Sequence, residues 1–214
     1  MRRTGWSTIG VACTVLLIGC SSQPAEETTD ESRVVQLGAP GEDNRELTAA
    51  EASELSVPPV TPADVEFVRM MIPHHEQALE MTALVPSRTE RDDLPLLAER
   101  IEVSQIDEIE QMRRWLADQG HSETSHADHD EGHLMPGMLT LDELSQLAEA
   151  RGEAFDELFL RYMIRHHEGA VHMVEELLTS GEGAQNPQVF QLAQHIDADQ
   201  RVEIARMKRL LADL

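Results

Sequence analysis

The sequence predicts an all-α fold: a four-helix bundle assembled from two helical hairpins. Three observations carry that prediction. Long segments recur along the chain, apolar residues recur at helical spacing, and helix-start signals precede the repeated segments. Phe67–Met81 (FVRMMIPHHEQALEM) returns 92 residues later as Phe159–Met173 (FLRYMIRHHEGAVHM). Leu97–Leu116 returns 95 residues later as Leu192–Leu211, and the three-residue difference falls in the turn between the paired segments, where an insertion costs little. Each half is therefore helix, turn, helix.

Taken in chain order, Thr61-Pro62 supplies an N-cap and a proline at the first helical position, starting the first core helix. The second core helix carries Leu97–Leu116. Thr140-Leu141-Asp142-Glu143 fits a capping box and begins a short extra helix that Gly152 ends. Ser180-Gly181 stops the third core helix, and Asn186-Pro187 repeats the cap-and-proline device to open the fourth. No stretch shows the two-residue alternation of a sheet. The bundle domain is thus 61–214, with repeat one at 61–120, a His- and Met-rich connection at 121–139, and repeat two at 140–214.

Ahead of it, residues 1–20 read MRRTGWSTIGVACTVLLIGC. Arg2 and Arg3 precede an apolar run too short for an ordinary spanning helix, which is the pattern of a secretory signal. The ending Leu17-Ile18-Gly19-Cys20 resembles a bacterial lipobox, in which the cysteine sulfur takes a diacylglycerol. The expectation is a lipoprotein signal peptide at 1–19, a lipidated Cys20, and an acidic disordered tether over 20–60. The protein is then expected in the bacterial cell envelope, anchored to a membrane and facing the extracytoplasmic side. Cys13 leaves with the signal and Cys20 is blocked by lipid, which excludes thiol catalysis, cysteine-type zinc sites and iron–sulfur clusters. A formal charge of −23, from 40 acids against 17 lysines and arginines, argues against nucleic-acid partners and against electrostatic docking on anionic lipid.

At about 100° per residue, one stripe of the first core helix holds Phe67, Met71, His74, His75, Ala78 and Met81. The third repeats it with Phe159, Met163, His166, His167, Ala170 and Met173. The second helix presents Ile101, Gln105, Glu108, Ile109, Met112 and Leu116; the fourth presents Ile196, Gln200, Glu203, Ile204, Met207 and Leu211. Glu76, Glu168, His172 and His195 fall off the stripes and read as peripheral. Carboxylates on an inward stripe cost several kcal/mol unless paired. Either Glu108 and Glu203 hydrogen-bond histidines in a satisfied polar layer, or the imidazoles ligate metal with the glutamates as ligands or supports. The inward methionines serve a core as readily as a cofactor site.

A second constellation lies in the connection. His121, His126, His129 and His133, interleaved with acids and followed by Met135-Pro136-Gly137-Met138, form a biased tract of the metal-binding type. Imidazole suits Cu(II), Zn and Ni, whereas thioether selects Cu(I). The Pro-Gly turn is placed to aim both sulfurs at one ion.

These residues resemble the bacterial HH-motif family catalogued as domain of unknown function 305. The resemblance rests on the repeated M-I-x-H-H-E-x-A-x-x-M and Q-x-x-E-I-x-x-M segments and on M-P-G-M-L-T, and it covers roughly 60–214. It implies a ferritin-like fold of two repeats, secretion or lipid anchoring, and, for some members, copper binding and copper resistance. It points to His74, His75, His166 and His167, with Met71, Met81, Met163, Met173 and the loop pair Met135 and Met138. Two departures stand out: Pro73, placed to kink the first helix, and His172 in place of a neutral residue. Di-iron chemistry is not supported, because the only Glu-x-x-His, Glu123 to His126, lies in the connection.

The leading expectation is a lipid-anchored extracytoplasmic metal-binding protein. Its cargo is most simply copper, as Cu(I) or Cu(II), with zinc or another divalent ion as alternatives. The ligand pool comprises the histidines and methionines above with Glu108, Glu203, Met112 and Met207. A metal-dependent redox enzyme and an envelope interaction module with structural histidines both stay open. The sequence names no protein partner.

Overall fold

A computed structural model describes residues 34–36, 43–53, 57–123 and 134–214. The chain divides into two units, Met1–Leu55 and Ser56–Leu214. In the first, β1 (Val34–Gln36) pairs antiparallel with β2 (Arg45–Leu47), Val34 standing opposite Leu47. A short α1 (Ala49–Ser53) follows, and Glu51 reaches back to the Thr48 N–H at 3.0 Å as Thr48 Oγ1 accepts from the Glu51 N–H. This ribbon lies inside the stretch expected as a structureless tether. Strands of three residues are too short to leave a readable alternation. Cys20 lies outside the described residues.

The second unit holds α2 (Pro62–Thr82), α3 (Val85–Arg88), α4 (Asp93–Asp118), α5 (Leu141–Glu149), α6 (Glu153–Thr179) and α7 (Pro187–Ala212). Thr61 and Thr140 both close reciprocal capping boxes, with Asp64 and Glu143 respectively, and the Asn186 side chain caps α7 through the Gln188 N–H. Two local expectations change. Gly152 does not end α5, which stops at Glu149; instead, at φ 59°, it stands at the N-cap of α6 and donates its N–H to the Arg88 carbonyl. The turn of the first hairpin also contains the single turn α3. Helix α2 ends at Thr82 and Pro86 stands in the first turn of α3, a position where its missing N–H costs nothing, whereas α6 runs on to Thr179. Pro73 does not interrupt α2.

Helix α2 packs antiparallel to α4, and α6 to α7. The hairpins join through α2 against α6, whereas α4 and α7 meet only sparsely. Two apolar clusters result. One gathers Phe67, Met71, Met112, Met173 and Leu177; the other gathers Met81, Leu94, Phe159, Met163 and Met207. The repeat exchanges them, since Met71 of one cluster matches Met163 of the other. Between the clusters lies a polar layer. Among the described residues, no helix is long and apolar enough to cross a membrane.

Candidate metal centre

His74 and His75 sit near the middle of α2, His166 and His167 near the middle of α6, and antiparallel packing brings the two pairs together. The His74 and His166 rings lie 4.0 Å apart, centroid to centroid, and all four histidines are at most 1% exposed. Each repeat closes the same bond. His75 Nε2 lies 2.7 Å from Glu108 Oε2, and His167 Nε2 lies 2.8 Å from Glu203 Oε2. His74 Nε2 is 2.9 Å from the Pro136 carbonyl oxygen.

These contacts decide the tautomers. A carbonyl oxygen only accepts, so His74 carries its hydrogen on Nε2; His75 and His167 do the same whenever the glutamate facing each is ionised. The Nδ1 lone pairs of all three are then free, and none has a hydrogen-bond partner. His166 lacks a partner on either nitrogen. Burial holds His74 and His75 at about 3 and drives His166 well below the ordinary histidine value. At neutral pH these three imidazoles are uncharged, the form that binds metal. Burial, aided by the charge of Asp199, pushes Glu108 up to about 7. Each unpartnered buried polar atom costs about 1–3 kcal/mol. Lone pairs aligned by Nε2 donors and left unmatched at Nδ1 are the arrangement that supporting hydrogen bonds give to metal-binding histidines.

Methionines flank the layer on both sides. Met71 and Met163 precede the histidines by three residues on the same helical faces, and Met112 and Met207 follow Glu108 and Glu203 by four. Met81 and Met173 complete the two sets, and all six are buried.

The connection is strapped across this layer. Met135 to Met138 form a turn closed by the Met138 N–H on the Met135 carbonyl at 3.2 Å, with Gly137 at φ 78°. The turn rests on α6 so closely that a Cβ on Gly169 would meet the Pro136 oxygen at 2.0 Å. From the other side, the Gln77 amide accepts from the Leu139 N–H at 2.7 Å and donates to its carbonyl at 3.1 Å. Arg165 grips Glu143 with both terminal guanidinium nitrogens at 2.7 and 2.8 Å, holding that carboxylate down at about 2. Met135 packs against the first apolar cluster, Met138 is half-buried, and His121 is exposed. His126, His129 and His133 lie outside the described residues.

The sequence reading missed two things. The strap itself was one: Gln77, Gly169 and the Pro136 carbonyl carry no motif. The other was His195, placed at the periphery. It is exposed, but its ring, one Asp199 oxygen and one Glu108 oxygen lie within 4.8 Å of one another. Among the described residues this is the only set of three His, Cys or carboxylate ligand atoms so close. The four bundle histidines therefore do not converge three nitrogens on one point. The readable signal was that Arg100 and Ser104 of repeat one become His195 and Asp199 in repeat two.

Fold and layer together define a class: duplicated helical-hairpin proteins whose His-His pairs meet in a buried, methionine-flanked seam. The family model for the domain of unknown function DUF305 matches residues 64–211, and the chain belongs to that family. A DUF305 fragment from Deinococcus radiodurans is 35% identical, with a TM-score of 0.65 over 73% of this chain and 100% of its own. A DUF305 protein from Streptomyces coelicolor, described as secreted, is 31% identical with a TM-score of 0.63, covering 71% of this chain and 93% of its own. CopM, solved in Cu(I)-bound and Cu(II)-bound forms, is 30% identical with a TM-score of 0.57, covering 70% of this chain and 96% of its own. No curated protein matches the chain.

Proposed function

We propose that this protein is a lipid-anchored copper-binding protein of the bacterial envelope, which sequesters or hands on copper through the histidine layer and its methionines. One observation carries the reading: three buried imidazoles, His74, His75 and His167, have Nε2 occupied and Nδ1 buried without a partner, beside His166 with neither nitrogen occupied. Because three nitrogens do not converge, each copper ion is held by a His pair completed by methionine sulfur from Met71, Met163 or their counterparts. Thioether donors favour Cu(I) over zinc. The copper-bound forms of CopM support copper as the cargo. Anchoring at Cys20 and export rest on the leader sequence, and the histidines of 121–133 with Met135 and Met138 act as an outer collecting tract.

The test is a competition titration of the full chain in mild detergent against Cu(I) and Cu(II) chelators, with Zn(II) as the control. Wild type is expected to bind one or two Cu(I) ions, with zinc much weaker. Replacing His74 and His166 by Gln, which keeps volume and polarity, should weaken Cu(I) binding by at least about 100-fold. Affinity unchanged in that variant would overturn the reading and leave the layer as a structural polar seam.

A further inference from the structure

The sparse contact between α4 and α7 leaves a cavity of ≈ 530 Å³, lined by Ser104, Glu108, His195, Asp199 and Glu203 among others. By the repeat, Ser104 and Asp199 are matched positions, as are Glu108 and Glu203. The two ends of the cavity should therefore be alike, and they are not. At one end the Ser104 hydroxyl, whose hydrogen is shared with the Ile101 carbonyl at 3.2 Å, reaches Glu203 Oε1 at 3.1 Å, the oxygen of that carboxylate that His167 does not hold. At the other end the serine is replaced by Asp199, an acid that cannot donate when ionised. Glu108, 3% exposed, is left with Oε1 buried and unpartnered. Arg100, the match of His195, lines the same cavity, but no lysine or arginine among the described residues pairs with Glu108 or Asp199. Two carboxylates thus face each other with only the exposed His195 imidazole, 3.7 Å from Asp199, to offset them, an arrangement that a cation completes.

We infer that Glu108, His195 and Asp199 form a second cation site, on repeat two's side of the cavity only, which takes a divalent first-row ion of the zinc or Cu(II) kind. One nitrogen and two carboxylate oxygens suit such an ion better than Cu(I), which thioethers select. Three protein ligands beside an open cavity leave a coordination position for water or an exchanging ligand. His195 and Asp199 are four residues apart on α7, so the helix itself sets their spacing, and Glu108 closes the site from α4. The same Glu108 holds His75 through Oε2, so an ion here sits one carboxylate away from the histidine layer. The site does not depend on copper binding in the bundle.

The experiment is a Zn(II) titration of the full chain by calorimetry, with His121, His126, His129 and His133 changed to Asn so that the loop is silent. One Zn(II) is expected to bind. His195→Ala with Asp199→Ala, both at partly or fully exposed positions, should remove it or weaken it at least about 10-fold, with the melting temperature of the metal-free protein not lowered and Cu(I) binding unchanged. The comparison variant is His172→Ala, at an exposed His-Glu pair of the same spacing (3.6 Å to Glu176) with no buried carboxylate beside it. Zinc binding that survives the double variant, or that falls equally in His172→Ala, would overturn the site and mark the binding as surface chelation. Loss of Cu(I) binding in the His74/His166 variant with zinc retained would separate this site from the one in the layer.

Discussion

The two hairpins carry the same buried-layer histidines, glutamates and flanking methionines, and differ at positions that meet the connection and the α4–α7 cavity. Repeat one has Gln77 where repeat two has Gly169. The glutamine clasps the backbone of Leu139, and the glycine lets Pro136 and Gly137 lie against α6. Repeat one has Ser104 where repeat two has Asp199, which satisfies one buried glutamate and leaves the other short of a partner. The chemistry was thus kept through the duplication while the surroundings diverged. The divergence seats a single loop asymmetrically on a nearly symmetric bundle. It also gives His74 a hydrogen bond that His166 lacks.

The largest expected effect tests what the hairpins share. Histidines held near 3, or well below their ordinary value, stay neutral while the unfolded chain takes up protons below about 6.5. The unfolded state then binds more protons, so metal-free stability falls as pH drops from about 6.5 toward 3, by up to about 1.4 kcal/mol per pH unit for each histidine. Glu108 works the other way. Raised to about 7, it takes up its proton in the folded state first, so it favours folding between about 4.5 and 7 as pH falls. Urea unfolding at a series of pH values should show the net acid loss, and Glu108→Gln should steepen it between about pH 7 and 4.5. A flat profile would mean that the layer is hydrated.

Next in size is Gly169→Ala. In an open helix the change would stabilise by up to about 1 kcal/mol. Here the new methyl would meet the Pro136 carbonyl oxygen at 2.0 Å and its carbon at 2.4 Å, both backbone atoms. The clash wins, and a net loss of about 2 kcal/mol is expected in the same urea assay. The matched change in repeat one, Gln77→Ala, has the opposite geometry. It removes a side chain and strands the N–H and C=O of buried Leu139, costing about 1–2 kcal/mol.

The smallest pair sharpens the comparison through its signs. Ser104→Ala strips Glu203 Oε1 of its donor and should destabilise by about 1 kcal/mol. At the matched position Asp199→Ala removes a like charge from beside Glu108 and should stabilise the metal-free protein slightly, by about 0.3 kcal/mol after solvent screening. Two losses of similar size would show that the cavity ends are alike and remove the basis for an asymmetric cation site.

Much of this is legible in the sequence. The repeat, caps at Thr61, Thr140 and Asn186, and the inward stripes are local properties of the chain. Helical periodicity alone decides that His74, His75, Glu108 and their matches face inward. Residues such as Gln77, Gly169 and Pro136 were not legible, because their meaning is a contact between segments some 30 to 60 positions apart. Neither was the role of His195, because a wheel sorts residues by the face of their own helix and cannot say what stands opposite.

The sequence by itself determined the four core helices, the caps at Thr61, Thr140 and Asn186, and the residues the core helices turn inward. Those follow from backbone propensity and burial, which act within a few turns. Only the tertiary structure decided that His74 carries its hydrogen on Nε2, that His75 and His167 each turn Nε2 to a glutamate, and that Glu108, not Glu203, lacks a partner for its second oxygen. All depend on where acceptors and donors from other segments come to rest, and a hydrogen bond exists only within a few tenths of an ångström of the right distance.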